Sequence, residues 1–490
     1  MSGWIGFNTA VSGLLASQRS LHTTNHNISN ANTEGYSRQQ VVQKSASPMS
    51  LPGIGMLGMG TSIDEIKRVR DSYVDFKYWL ENAPLGEWEV KRENLVELEK
   101  VFNEPSDSSF RQYLDDFFTA LDTLSKNPSD YSHRSLVRET AEALTSHLNE
   151  TAGRLYKMQE EINFAISTKV DQINDLAESI RNLNKQIYGL ELDGTKANDL
   201  RDKRALLVDK LSKIVNVQVN EDDQGRYTVS IGGTTLVHHL EVRKIEYAGK
   251  SKGQDPNPVE VKWDNGQSVS IKSGEIKGLI DLINGEGESG SYRGVPFYIN
   301  RLDQFAAKFA ERMNNVHYNN KGLNKAENIY MFTIDGKDSA SFVPGTDEVK
   351  AHNISVSKDI LDNLDNIATA ENHNEPESNE GVLELIDLRE DKMFFDDPTN
   401  PPQGTPDDFI KSVLSTLAVD SQHADRMNNN QSVIMENIEL KRESESGVSI
   451  DEEMSNMVKF QHSYNAAARM ITTMDKIYDV TINRLGLVGR

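Results

Sequence analysis

Apolar residues recur at helical spacing at both ends of the chain and alternate over short runs between them. Near the start, Phe7, Val11, Leu14, Gln18, Leu21, Asn25 and Ile28 follow a four-three spacing across residues 4 to 30. That is a heptad seam on one helix, with amides at two of its positions. Near the other end, Ile450, Met454, Met457, Tyr464, Ala468, Ile471, Met474, Tyr478 and Leu485 fall close to a single heptad stripe. A helix cannot bury one apolar stripe alone, so the simplest arrangement packs the two ends on each other. Amides and small residues in the seams make that a weak pair in isolation.

The longest pattern runs from about 132 to 192. Ile166, Ile173, Ile180 and Ile187 recur every seven residues; Leu176, Leu183 and Leu190 fill the second seam position, where Lys169 interrupts. An unbroken helix there is about 90 Å long at roughly 1.5 Å per residue, which implies a rod. Shorter helices are predicted at 71–82, 85–103, 108–126 and 198–214, over "EIKGLIDLIN", and from "VPFYINRLDQF" onward, where Pro296 sits in a first turn. Residues 407 to 488 read as almost wholly helical, with a break near "ESESGVS". "VNVQVN" and "GRYTVSIGG" read as a hairpin across "EDDQG", strand-like pieces continue to Ile271, and a second β-rich stretch covers 328 to 370. "GEGESGSYRG" and "DDPTNPPQGTPDD" read as linkers.

The predicted fold is therefore mainly α with β insertions (α+β): an elongated multi-domain rod of long coiled-coil-like helices, its terminal helices paired, plus a small β-rich domain. The expected division is 1–63 with 448–490 as a terminal helical unit, 64–215 with 275–327 and 382–447 as a helical rod, and 216–274 and 328–381 as β-rich insertions.

At the end of the first helix lies "NHNISNANTEGYSRQQ". Asn is a poor helix former and a good turn former, so Asn30 and Asn32 read as cap and turn residues, and Gly35 suits a left-handed position. Gln18 and Asn25 are different. A buried amide in a seam fixes register and partner at a cost in stability, and these two are expected to do so.

Composition narrows the function. The chain has 490 residues, a length that suggests about three domains, and hydrophobic residues make up 37% of it. Its mean hydropathy of -0.57 is polar for a compact enzyme and fits an elongated shape. A net charge of -22 argues against nucleic acid, whose phosphates demand excess Lys and Arg. There is no Cys, hence no disulfide, thiolate nucleophile or Cys-bound zinc. No run of about 18 apolar residues offers a membrane span. The N-terminus has no Lys or Arg before Arg19 and no continuous apolar core, so a cleaved secretory signal is not expected. On these rules the protein is cytoplasmic or leaves by a route that needs no such signal.

Candidate chemistry is thin. Gly53, Gly55 and Gly58 spell G-x-G-x-x-G, but without a strand before and a helix after they read as a hairpin loop, not a dinucleotide site. His22 and His26 share a helix face, yet the residue after His22 is Thr23 and no third ligand lies nearby. His238 and His239 point to opposite faces of a predicted strand. No nucleophile motif is present. No catalytic, cofactor-binding or metal-binding residue is assigned, no cofactor is expected, and the protein is not read as an enzyme.

The two ends resemble the flagellar axial protein family of rod, hook, hook-associated and filament proteins. "NTAVSGLLASQRSLHTTNHNISNANTEGYSRQQ" is similar to the family's N-terminal signature, and "GIGMLGMGTSIDEIKRVRDSYVDFKYW" to the segment after it. "SGVSIDEEMSNMVKFQHSYNAAARMITTMDKIYDVTINRLG" resembles the C-terminal signature. "GYSRQ", the long Ile/Leu coil, and "GEIKGLIDLIN" followed by "INRLDQFAAKFAERMNNVHYNNKG" resemble the hook-associated branch at the hook–filament junction.

The resemblance implies a structural part of the bacterial flagellum, secreted unfolded by the type III export apparatus. A cytoplasmic chaperone would hold the C-terminal helix during export. Outside the cell the chain would form a ring with itself, meeting hook protein on one side and the next hook-associated protein or flagellin on the other, with no membrane or nucleic-acid partner. The terminal unit would be the polymerisation domain. Phe7, Val11, Leu14, Gln18, Leu21, Asn25, Ile28, Asn30, Asn32, Gly35 and Tyr36 would serve assembly from one end, and Met454, Met457, Tyr464, Ala468, Ile471, Met474, Tyr478 and Leu485 from the other. The rivals are another axial role (rod, hook or flagellin-like) and a cytosolic coiled-coil scaffold.

Overall fold

The computed structural model describes residues 2–51, 55–102, 110–222, 225–248, 259–371, 377–395 and 404–484. Helix α1 (Ser2–Ser29) ends in the amide-rich turn, and the chain returns along it as an antiparallel ribbon. Strand β1 (Gln39–Ser45) pairs with β4 (Thr61–Arg68), and β2 (Met49–Leu51) with β3 (Gly55–Leu57) beyond them. Gly55 and Gly58 thus belong to this hairpin, as the sequence suggests, while Gly53 falls outside the described residues. Gly60 brings the ribbon onto α1: its φ is 93°, and a Cβ there would overlap Ser12 Oγ.

Helix α2 (Ser72–Phe102) runs unbroken through Pro84, where the sequence predicts two helices. The two halves are pinned around the proline. Asn82 Nδ2 donates to Asp209 O at 2.9 Å and Ser212 Oγ at 2.8 Å, and buried Gly86 lies against Lys213 O. Tertiary contacts there outweigh the one backbone hydrogen bond a proline forfeits.

Helices α3 (Phe110–Lys126), α4 (Tyr131–Leu190) and α5 (Asn198–Ile214) come next. Asp130 caps α4 by accepting from Ser132 N at 2.7 Å. The seam of α4 is partly as predicted. Ile166, Ile173, Ile180 and Ile187 are buried, but the second position belongs to Val170, Ala177 and Asn184. Leu176 and Leu183 are half-buried flanks, Leu190 is exposed, and Lys169 is ion-paired with Glu275. The register shifts by one residue because α4 is not packed on one parallel partner. Helices and strands from several parts of the chain meet it, and Asn174 Nδ2 donates to Ile245 O at 2.8 Å on one flank.

Four antiparallel strands, β5 (Val217–Glu221), β6 (Tyr227–Ile231), β7 (Thr234–His238) and β8 (Glu241–Val242), form one sheet in that order. The predicted hairpin is β5–β6, with Val217 opposite Ile231 and Glu221 opposite Tyr227. Strands β9 (Ile245–Ala248) and β10 (Glu260–Trp263) make a separate pair. Helix α6 (Glu275–Asn284) and α7 (Val295–Asn319) return to the rod, and Pro296 does occupy the first turn of α7.

The second β-rich stretch holds only short pairs. Strand β11 (Lys321–Gly322) pairs with a later β14 (Ala368–Ala370), and β12 (Phe332–Ile334) with β13 (Ile354–Val356); α8 (Lys358–Asp362) lies between β13 and β14. Helix α9 (Glu380–Asp387) leads to the predicted linker, most of which lies outside the described residues. Thr405 and Asp408 form a capping box on α10 (Pro406–Ser446), and the break near "ESESGVS" separates it from α11 (Ile450–Asp479).

The core lies where α3, α4, α7 and α10 converge. Phe305 stands edge-on to Phe110 at 5.0 Å and stacks on Phe309 at 5.6 Å, and Phe395 stacks on Phe409 at 4.2 Å. None of the described helices is long and apolar enough to cross a membrane.

Candidate assembly interface

Helices α1 and α11 pack on each other, as the two stripes predict. A Cβ on Gly6 would lie 2.7 Å from Met474 Cε, while Asn27 Nδ2 donates to Glu453 Oε2 at 3.1 Å. The pair is therefore antiparallel. On α11 the inward stripe includes half-buried Met457, Tyr464, Ala468, Ile471, Met474 and Tyr478. Met454 is instead 56% exposed, and Leu485 lies outside the described residues.

On α1 the buried face is not the apolar seam. Ala16, Ser17, Ser20, Thr23, Thr24 and Asn27 are buried, while Phe7, Val11, Leu14, Leu21 and Ile28 are half-buried beside them. Small side chains let the ribbon approach closely. Gln43 Nε2 donates to Ser20 Oγ at 3.2 Å, and Thr61 N to Ser12 Oγ at 3.3 Å. Gln18 and Asn25 are exposed within the single chain, which corrects their place in a seam closed by α11. The ribbon, invisible to a heptad count, turns α1 so that its small-residue face is inward.

The buried amide is Asn27, two residues on. Its Nδ2 donates to Gln39 O at 2.9 Å as well as to Glu453, and its Oδ1 accepts from Gln39 N at 3.0 Å and Tyr36 Oη at 2.8 Å. Its hydrogen-bonding capacity is thus filled. Burial, with Asp199, Asp202 and Glu453 nearby, holds the Tyr36 phenol well above its usual range, so it stays a donor.

Around Asn27 the two ends of the chain are tied to the body. Glu453, 2% exposed, also accepts from Arg38 Nε at 2.8 Å, and Arg38 Nη2 reaches Glu452 at 2.9 Å. The Arg38 backbone N donates to Ser446 O at 2.9 Å. Burial opposes the Arg38 charge, but bonds to Glu452 and Glu453 prevail and raise its pKa. The next links enter the body. Asp202 of α5 accepts from Ser37 N at 3.0 Å, Ser37 Oγ at 2.9 Å and Arg68 Nη1 at 2.8 Å. Asp75 holds Arg70 and Arg442, and Arg442 Nη2 reaches Asp209 at 2.8 Å. Burial raises the Asp209 pKa, with Arg442 and Arg70 opposing.

The turn itself is ordered by short-range bonds. Asn30 Nδ2 donates to His26 O at 2.9 Å and so caps the end of α1, whereas Asn32 is exposed. Gly35 has a φ of 76°, and a Cβ there would meet Leu206 of α5 at 3.1 Å. His26 bonds Asp199 at 3.2 Å and His22 is exposed; among the described residues no cluster could hold a metal ion. His239 ends β7 at a φ of 52°, outside the strand expected for it.

Arg38, Asn27, Glu453 and Asp202 were not assigned by the sequence. The signal was present only as motif: "GYSR" near one end and "DEE" near the other carry the residues that meet.

Comparison with known proteins gives the same reading. Residues 95–332 match the model of the flagellar hook-associated protein FlgK helical domain. Residues 442–485 match the flagellar basal body rod FlgEFG protein C-terminal model, and 7–36 the flagella basal body rod protein model. The chain is 30% identical to flagellar hook-associated protein 1 of Bacillus subtilis, each covered over 100% of its length. It is 26% identical to the Salmonella typhimurium protein of the same name, over 97% of this chain and 99% of that one. The fold is similar to that of the flagellar hook junction protein FlgK from Burkholderia pseudomallei, with a TM-score of 0.59 and 13% identity over 76% of this chain and 100% of that one.

Proposed function

The chain belongs to the flagellar hook-associated protein 1 family, and from that premise we propose how its parts build the hook–filament junction. It is a structural, non-enzymatic component of the flagellar axis, outside the cell at that junction. Our reading is an adaptor ring. Copies of the chain stand side by side on the distal hook, hook protein below, and the next hook-associated protein or flagellin above.

The observation that carries this reading is the unfinished coil. Helix α11 leaves Met454, Val458, Met470 and Ile477 each more than half exposed, and α1 leaves Leu15 at 52%. Large apolar side chains left open on more than one side of a helix mark contacts with other chains. Before assembly the same exposed side chains suit a cytoplasmic chaperone on the C-terminal helix during type III export. The residues that face neighbours would include Gln18, Asn25 and Met454, which the single chain leaves open. Phe7, Val11, Leu14, Leu21, Ile28, Met457, Tyr464, Ala468, Ile471, Met474 and Tyr478 would hold the coil together behind them. Asn30, Asn32, Gly35 and Tyr36 would shape the turn between coil and body. The division into a terminal polymerisation unit, a helical rod and β-rich insertions is part of the same proposal.

Deletion of the gene tests it, with electron microscopy of the cells and assay of flagellin in the medium. Hooks without filaments, with flagellin released, are expected. Missing hooks would move the protein to the rod or hook, and normal filaments would overturn the junction role.

A further inference from the structure

Two exposed apolar stripes flank the joint between coil and body. One is on the first turns of α2: Tyr73, Phe76 and Leu80 are 57%, 50% and 55% exposed, at i, i+3 and i+7. The partners of α2 occupy its other sides. Arg442 of α10 covers Tyr78 at 4.6 Å, and Asp209 of α5 accepts from Trp79 Nε1 at 2.7 Å. Phe76 and Trp79 also wall a cleft of about 560 Å³, whose rim includes Lys67, Lys196 and Glu65. Lys67, Lys196 and Lys77 have no ion pair among the described residues, and Lys77 lies over the Tyr73 ring at 4.9 Å.

The other stripe is on the first turns of α11. Ile450, Met454 and Val458 are 47%, 56% and 53% exposed, at i, i+4 and i+8. Asp451 and Glu452 stand exposed beside them. The segment entering α11, Ser446 to Val448, lines a different cleft with Leu206 and Lys210, and Arg70 alone is shared between the two linings. The entry to α11 and the cleft beside the α2 stripe therefore lie on different sides of Arg70. They share a level, because Glu453 of α11 bonds Arg38, and its neighbour Ser37 bonds the Asp202 that holds Arg68 beside Lys67.

We propose that the α11 stripe of one copy docks on the α2 stripe of the next copy around the ring, with Asp451 facing the lysines at the cleft rim. The inference rests on the ring reading above and names its lateral contact. Apolar matches apolar, and an acidic flank meets a basic one in a chain whose net charge is -22, where an unpaired lysine rim is a minority feature. Two unlike patches at one level make a heterologous contact, the kind that closes a ring by repetition.

The absence of Cys makes the test clean. Full-length Phe76→Cys/Met454→Cys protein is expressed in the deletion strain, and flagella are oxidised and separated on non-reducing gels. A ladder of multimers of this chain is expected. Each single variant gives no multimer, and co-expression of the two singles gives dimers alone. Lys67→Glu weakens the ladder and Asp451→Lys restores it. Dimers from either single variant, cross-links to hook or filament protein, or no cross-link on junctions that bear filaments would each overturn the contact. Filaments on those cells leave the junction role standing, so the two failures are told apart.

Discussion

The coil and the body are both long helices, yet they bury opposite things. Along α4 the buried side chains are mostly aliphatic, and α7 hides Phe305 and Phe309 completely. Along α11 the one buried side chain is a carboxylate, Glu453. The body is held by apolar area, worth roughly 25 cal/mol per Å² removed from water. The coil is held at one end by a polar clamp, and its apolar stripes stay half open. This arrangement predicts a body that folds alone and a coil that is completed only among neighbours.

The contrast should break most sharply in the body. Phe309 is fully buried between Phe117, Phe305, Phe332 and Phe394. Phe309→Ala should cost about 3–5 kcal/mol, as cavity-forming aromatic truncations do. Urea unfolding followed by circular dichroism reads it as a lower midpoint at unchanged slope. The same truncation at Met474 in the coil should leave that midpoint within about 0.5 kcal/mol in the monomer. Equal losses would mean that the coil is folded as firmly as the body.

Next comes acid. His317 is fully buried; its Nδ1 donates to Ile329 O at 2.8 Å, and its Nε2 accepts from Ala368 N at 3.0 Å. Those partners require the neutral ring, since a proton on Nε2 would face another N–H. Burial pushes its pKa down from 6.5 to about 4. The unfolded chain therefore binds the proton first. This contribution to stability is complete above about pH 6.5, falls as pH drops below that value, and is lost by about pH 4. The total is about 3 kcal/mol at ~1.4 kcal/mol per unit. Denaturation midpoints across that window should fall for the parent chain and fall less steeply for His317→Gln, because His147 and His239, also lowered by burial, still contribute.

The clamp is smaller and local. Glu453→Leu leaves Asn27 and Arg38 without their carboxylate, and a buried donor left unmade costs about 2 kcal/mol. The loss should appear as faster amide exchange at 25–40 and 446–456, with protection in α4 unchanged. If α4 loosens too, the joint and the body are one cooperative unit.

Sequence carried the long elements because their signals repeat. The isoleucines of α4 and the two terminal stripes are each a pattern sampled many times. Where one residue decides, the pattern fails. Leu176 and Val170 are both apolar, and only the directions from which the β strands and helices reach α4 choose between them. Pro84 reads as a break, and two bonds from Asn82 to a helix far along the chain keep α2 whole. The face of α1 that packs is rich in Ser and Thr, so hydropathy points away from it. The pairing of Arg38 with Glu453 spans most of the chain, beyond any local rule.

The smallest effect on folding is at Asn25, and it bears most directly on assembly. Its side chain is exposed, so Asn25→Leu should leave the stability of the monomer within about 0.5 kcal/mol. It would, however, add an apolar residue to a helix whose neighbours Leu21 and Ile28 are only half covered. On the ring reading, an exposed amide there is expected to keep the coil from pairing too early, in the way a polar seam residue discriminates among registers. Sedimentation of the purified variant should show self-association that the parent lacks, at the same unfolding midpoint. Gln18→Leu should act alike, one turn-pair earlier on the same face. A variant that stays monomeric and still restores filaments to the deletion strain would remove these amides from assembly, leaving Asn27 as the residue of α1 that sets register.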